Sequence, residues 1–270
     1  MSSQNLRSAA ATPIRILIGR PHAAVAVLLC LMGTALQAQE PDRVSDPNFH
    51  AWYMYFGDHS IGESPWGLHF DGQWRRQGVG QQWQQLLLRP GINYDLNSHV
   101  QVSGGYAFIQ SHPYGSFPAQ TNTPEHRIWQ QLILRQKVGK ANLAHRFRLE
   151  QRHVGITDAS LPEEDRVTGY SYRNRVRYFA KGTIPIGHKG PDSDYFLAAY
   201  NEIMFNFGRN TARNIFDQNR AYIAIGRKLP GVGALEIGYL QQTVQQGNGR
   251  VIEFNHTLQI GLFSTRRLGR

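Results

Sequence analysis

The sequence predicts an all-β chain folded as an antiparallel transmembrane β-barrel, and three observations carry the prediction. The first is parity. In His145-Arg-Phe-Arg-Leu-Glu-Gln-Arg-His153, the residues Arg146, Arg148, Glu150 and Arg152 share one parity, while Phe147, Leu149 and Gln151 share the other. A strand sends alternate side chains to opposite faces, whereas a helix would mix these two sets. Tyr172-Arg-Asn-Arg-Val-Arg-Tyr178 repeats the arrangement, with Arg173, Arg175 and Arg177 on one face. The second is length: the alternating segments run to about ten residues, enough for a tilted strand to cross a bilayer. The third is the alternation of tight turns with longer polar loops, the layout of a barrel with short periplasmic turns and longer extracellular loops.

The composition is 41% hydrophobic with 27 glycines and a mean hydropathy of -0.44, which excludes a helical membrane bundle but not a barrel, whose strands are half apolar. Residues 1–38 read as a secretory signal: Arg7, Arg15 and Arg20 precede an apolar run over 23–33, and Leu36-Gln-Ala38 supplies the cleavage site. The apolar run is short for a transmembrane helix, and Leu29 before Cys30 is not the small residue that a lipidated cysteine follows. Cys30 is the chain's one cysteine and leaves with the signal, so the exported part holds no disulfide and no thiol chemistry. The net charge of +10 suggests nucleic acid, yet the arginines are interleaved with apolar residues along many strands instead of forming one basic patch, and no nucleic-acid partner is expected.

Taken in order, 39–47 is polar with two prolines and reads as a flexible lead-in to a barrel over 48–264, and 265–270 as a basic carboxy-terminal tail. Eleven strands are legible, over 49–57, 66–75, 83–96, 99–110, 127–138, 143–154, 167–180, 195–207, 220–229, 234–243 and 252–263. Single-chain bacterial barrels are normally even-numbered, so the expected count is about twelve, with about ten as the alternative. Connections at 97–98, 139–142 and 230–231 are tight, and those at 111–126, 155–166, 208–219 and 244–250 are long; 182–194 is long on the short-turn side. Trp52, Trp66, Trp74, Trp83, Trp129, Tyr178, Tyr195 and Tyr239 fall mostly towards strand ends, where aromatic girdles belong.

An ordered set of segments carries a resemblance. Leu87-Leu-Arg-Pro-Gly-Ile-Asn-Tyr94, Gly104-Gly-Tyr-Ala-Phe108, Glu125-His-Arg-Ile-Trp-Gln-Gln131, Tyr172–Tyr178, Asn201-Glu-Ile-Met-Phe-Asn206, Phe216-Asp-Gln-Asn-Arg220 and Leu235-Glu-Ile-Gly-Tyr-Leu240, together with the 145–152 strand, resemble an uncharacterised bacterial outer-membrane family catalogued as domain of unknown function 2490. The resemblance implies an exported β-barrel and brings no established activity, cofactor or catalytic residue.

For chemistry, the chain has no phosphate loop, dinucleotide fingerprint, paired-histidine metal helix or nucleophile elbow. Neither catalytic residues nor a cofactor or metal is expected. Two groups of residues stand out. Arg146, Arg148, Glu150, Arg173, Arg175, Arg177, Glu202 and Arg220 share the polar parity and form an expected lumen network, in which Glu202 bridges Arg220 and Arg175 while Glu150 lies near Arg173. Tyr200 and Tyr222 join them at lumen positions, favouring a filled lumen over an open anion-preferring channel. Asn201 and His256 lie on the apolar parity, where polar groups are costly, and are the residues that a lipid-modifying enzyme would use. A structural or limited-permeation role in the bacterial outer membrane is the favoured reading. The expected partners are outer-membrane lipid, phospholipid and lipopolysaccharide, and the outer-membrane assembly machinery.

Overall fold

A computed structural model describes residues 43–187, 192–211 and 213–269. The signal segment, Cys30 and the first four residues of the lead-in lie outside the described residues. Eleven strands among the described residues close into one barrel: β1 (Val44–Ser60), β2 (Trp66–Gln77), β3 (Gln82–Asp95), β4 (Val100–Ser111), β5 (Thr123–Val138), β6 (Ala141–Thr157), β7 (Val167–Pro185), β8 (Tyr195–Phe207), β9 (Phe216–Leu229), β10 (Gly233–Gln245) and β11 (Val251–Ser264). Each strand pairs antiparallel with its neighbour in sequence, and β11 closes on β1 in parallel, with Val44 beside Val251 and Gly57 beside Ser264.

Two expectations are corrected here. The strands number eleven and not about twelve, and the barrel is mixed and not wholly antiparallel. The physical reason is the same for both. In a meander, direction alternates with strand number, so the first and eleventh strands run the same way and can close only in parallel. A fourteen-residue parallel ladder between them satisfies both edges, and no additional strand is required. β1 begins at Val44, so the last part of the stretch read as a lead-in is already paired with β11. The tail is also tied down at one point, where Leu268 bridges Ile61 and its N–H donates to the Ser60 carbonyl.

Along most of their length the strands divide by parity as the alternation requires. Asp71, Gln73 and Arg75 of β2, Arg148 and Glu150 of β6, Arg175 and Arg177 of β7, and Asn255, Thr257 and Gln259 of β11 are buried inside. Phe70, Ile92, Ile128, Phe147, Ile223 and Ile237 are exposed outside. The interior also holds two indoles. Trp52 and Trp129 are 1% and 0% exposed and point into the lumen, correcting their place in the girdle, whereas Trp66, Trp74, Trp83, Tyr178, Tyr195 and Tyr239 are exposed on the outside. Trp129 fits because glycines face it: a Cβ on Gly91 would stand 2.5 Å from Trp129 Cζ2. Local propensity could not show this, because the space is made by a different strand.

The connections 61–65, 96–99, 139–140, 186–194 and 230–232 share one rim with the end of β11, and 78–81, 112–122, 158–166, 208–215 and 246–250 share the other with the start of β1. The loop over 112–122 folds inward. Tyr114 donates to Glu253 at 2.7 Å and packs edge-on against His50, Ser116 N–H reaches the Asp46 carboxylate, and Gln246 donates to the Phe117 carbonyl.

Candidate functional site

The charged face of the strands meets across the lumen in one layer of ion pairs. Glu150, on β6, accepts from Arg175 at 2.5 Å and from Arg177 at 2.8 Å, with Arg127 and Arg89 at 3.7 and 3.9 Å. Glu202, on β8, accepts from Arg146 and Arg177 at 2.7 Å each and from Arg220 at 3.5 Å. Asp71 holds Arg89 at 2.6 Å, Asp217 holds Arg175 at 2.6 Å, and Glu125 bridges Arg127 and Arg152. Some of these contacts join polar-parity residues opposite or diagonal on adjacent strands, as Glu150 with Arg175 and Glu202 with Arg220, and others reach past a strand, as Arg146 to Glu202 and Arg175 to Asp217.

Six of the eight expected network residues join the ion pairs, with two changes of partner, while Arg148 and Arg173 have no carboxylate at ion-pair distance among the described residues. Glu202 faces Arg220 as expected, but its other partners are Arg177 and Arg146, not Arg175. Glu150 takes Arg175 and Arg177, not Arg173, whose Cα pairs with Arg152 and whose Nε finds no partner among the described residues. Both corrections are slips of two residues along β7. Alternation specifies the face of a strand but leaves even-numbered register shifts open; the long connection after β7 hid the count for Glu202, and the register shift at Ile156/Thr157 beside the 158–166 loop hid it for Glu150. Six members of the ion-pair layer lay outside the expected network, Asp71, Arg89, Glu125, Arg127, Arg152 and Asp217, and Arg75 stands beside it on amides alone. Glu125 shares parity with Arg127 two residues on, and Arg75 with Asp71, signals that were present. Asp217 was read as part of the 208–219 connection; it lies in β9 beside a register shift between β8 and β9 that takes it off the alternation counted back from Arg220.

Charge in the layer does not balance. Seven arginines share the five carboxylates Asp71, Glu125, Glu150, Glu202 and Asp217. Two further buried arginines have only amides. Arg148 donates twice to Gln131, at 3.0 and 2.6 Å, and lies 5.0 Å over Trp129; Arg75 donates to Gln85 at 2.6 Å and to Gln73. The layer separates two chambers. The one towards the longer loops has about 230 Å³ and is lined mostly by polar groups; the one towards the short turns has about 210 Å³ and is lined also by Met54, Phe56, Phe179 and Phe263. Trp52, Gln73, Arg89, Arg177 and Arg220 line both and form the partition. Above the first chamber, burial and the neighbouring Glu253 carboxylate push the Tyr114 hydroxyl above its ordinary value, keeping it a donor.

Asn201 and His256 do lie on the outer face, but the fold does not bring them together: β9 and β10 separate their strands. Each is already satisfied. Asn201 and Asn219 exchange amide hydrogen bonds at 3.2 and 3.1 Å, and the Tyr239 hydroxyl lies 2.6 Å from His256 Nδ1. Gln130 with Gln151, and His145 with Tyr178, repeat the device elsewhere on the same face. Cross-strand pairing lowers the cost of polar groups in an apolar setting. No cluster of three or more metal-ligating side chains occurs among the described residues.

An uncharacterised protein of Methylorubrum extorquens is 27% identical over 241 residues, which cover 87% of this chain and 94% of that protein. The family described as protein of unknown function (DUF2490) matches residues 49–253, a span that takes in all five carboxylates of the layer and every arginine that binds them. On that match the chain belongs to the DUF2490 family.

Proposed function

We propose that this protein is an outer-membrane β-barrel with a structural role, whose charged lumen is largely closed by its own side chains and admits at most limited permeation. One observation carries the reading: the barrel is polar within and apolar without. Buried arginines and carboxylates fill the interior, while Phe70, Ile92, Ile128, Leu149, Ile223 and Ile237 stand exposed around the outside. In water such an outer face would be an unpaid apolar surface of a size that monomeric proteins rarely carry. In a bilayer it is the surface that lipid covers. Closure adds support, because no strand edge is left unpaired in hydrocarbon.

Phospholipid and lipopolysaccharide are then the partners of the outer face, and the outer-membrane assembly machinery inserts the chain after export. The test is fractionation of a Gram-negative host expressing the full-length chain. Recovery in the outer-membrane fraction, resistance to carbonate extraction and a heat-dependent shift in gel mobility are expected. Recovery as a soluble periplasmic monomer would overturn the reading.

A further inference from the structure

The chamber on the long-loop side is lined by seven arginine side chains and only two carboxylates, Glu125 and Asp217. Both carboxylates are already neutralised, Glu125 by Arg127 and Arg152 and Asp217 by Arg175. Two of the arginines share one ring: Arg75 lies 3.9 Å and Arg220 5.0 Å from the centre of the Trp52 indole, which is anchored by its own N–H donating to Gln84 at 2.8 Å. The fold thus brings two cations onto one indole inside a cavity.

Arg220 has Glu202 at 3.5 Å, but Arg75, 6% exposed, has no carboxylate at ion-pair distance among the described residues. Gln73 and Gln85 accept from three of its five N–H groups without offsetting its charge. Arg89, 3% exposed and on the same wall, leaves its Nε without a partner. Amides answer hydrogen-bonding capacity, but only an anion answers a buried net charge. The planar fork of a guanidinium matches the oxygens of phosphate, sulfate or carboxylate. At about 230 Å³ the chamber lies below the roughly 300–1,000 Å³ of clefts that take drug-sized ligands, so its occupant is small.

We propose that the long-loop chamber binds one small oxyanion, held by Arg75 and Arg220 beside Trp52. The anion supplies the counter-charge that the strands omit, and the inward loop carrying Tyr114 stands on its route from the rim. The inference is independent of membrane insertion, since it concerns only the interior of the barrel.

The test uses the purified full-length chain in detergent, unfolded thermally in rising sodium phosphate, sulfate or acetate against sodium chloride at matched ionic strength. Equilibrium dialysis of the same sample with labelled phosphate or sulfate gives the stoichiometry. At least one of the three oxyanions is expected to raise the unfolding temperature saturably and to bind one per chain. Arg75→Gln is expected to unfold within a few degrees of wild type without oxyanion, because no carboxylate loses a partner and removal of one uncompensated cation offsets the lost bonds to Gln73 and Gln85. The variant should bind the oxyanion at least tenfold more weakly. No saturable response from wild type to any of the three would overturn the proposal, whether or not the variant folds. So would a variant that responds as wild type does, or one that is markedly destabilised in chloride.

Discussion

Glu202 shows what a single residue does in this lumen. It sits among Arg146, Arg177 and Arg220, so neutralising it leaves three buried guanidiniums short of a counter-charge. Breaking a buried pair costs roughly 3–5 kcal/mol, and a chain of this size shifts its unfolding temperature by about 2–4 °C per kcal/mol. Glu202→Gln is therefore expected to unfold several degrees or more below wild type, as followed by circular dichroism in detergent. Arg148→Met should cost much less, because Arg148 has only the Gln131 amide to lose and methionine keeps much of its volume over Trp129. A larger loss in Arg148→Met than in Glu202→Gln would contradict the ion-pair account.

On the outer face the same reasoning applies to Tyr239 and His256. Tyr239→Phe leaves the imidazole without its partner and is expected to cost about 1–2 kcal/mol, the range of interhelical hydrogen bonds in membrane model peptides. Adding His256→Leu should recover that loss. A double variant less stable than Tyr239→Phe would show that His256 has a role other than pairing.

Among the elements, the seam between β1 and β11 decides the architecture. Tyr53 lies beside Ile260 in the parallel ladder, both on the outer face. Cysteines at these two positions are separated by one inter-strand spacing of about 4.8 Å, within reach of a disulfide. Tyr53→Cys with Ile260→Cys is expected to cross-link under mild oxidation and to migrate faster on a denaturing gel without reductant. A twelfth strand between β1 and β11 would hold the two thiols too far apart to join, and an absence of cross-linking would favour it. The inward loop over 112–122 belongs to the same scale: it hangs from β4 and β5 but is held by β1 and β11 through Asp46 and Glu253.

For the whole molecule, Trp52, Arg89, Arg177 and Arg220 stand between the two chambers, and the proposed closure of the lumen rests on them. Barrels of about eight strands are filled by side chains, and those of about sixteen hold open channels. Eleven strands leave both outcomes geometrically open, and here long arginines tied to central carboxylates occupy the middle. In planar bilayers the wild-type protein is expected to show little or no steady conductance. Glu202→Ala should leak, preferentially to anions, because the arginines that it frees remain. Large steady wild-type channels unchanged by Glu202→Ala would mean that the layer does not close the lumen.

The sequence by itself determined the two faces of the barrel. Alternation at Arg146, Arg148 and Glu150 against Phe147 and Leu149 is a local property, carried by consecutive residues, and it separates one face from the other whatever the neighbours are. Eleven strands and the lumen position of Tyr200, Tyr222, Glu202 and Arg220 were legible for the same reason. What tertiary structure decided is whatever depends on how one strand lies against another. Register along β7 moved Glu150 from Arg173 to Arg175 and Arg177, and Glu202 from Arg175 to Arg177, without changing a face. A register shift turned Asp217 inward to Arg175. Gly91 made room for Trp129, and the odd count compelled a parallel seam. A period of two tells which way a side chain points, but partners are set by the stagger between strands, which only closure of the barrel specifies.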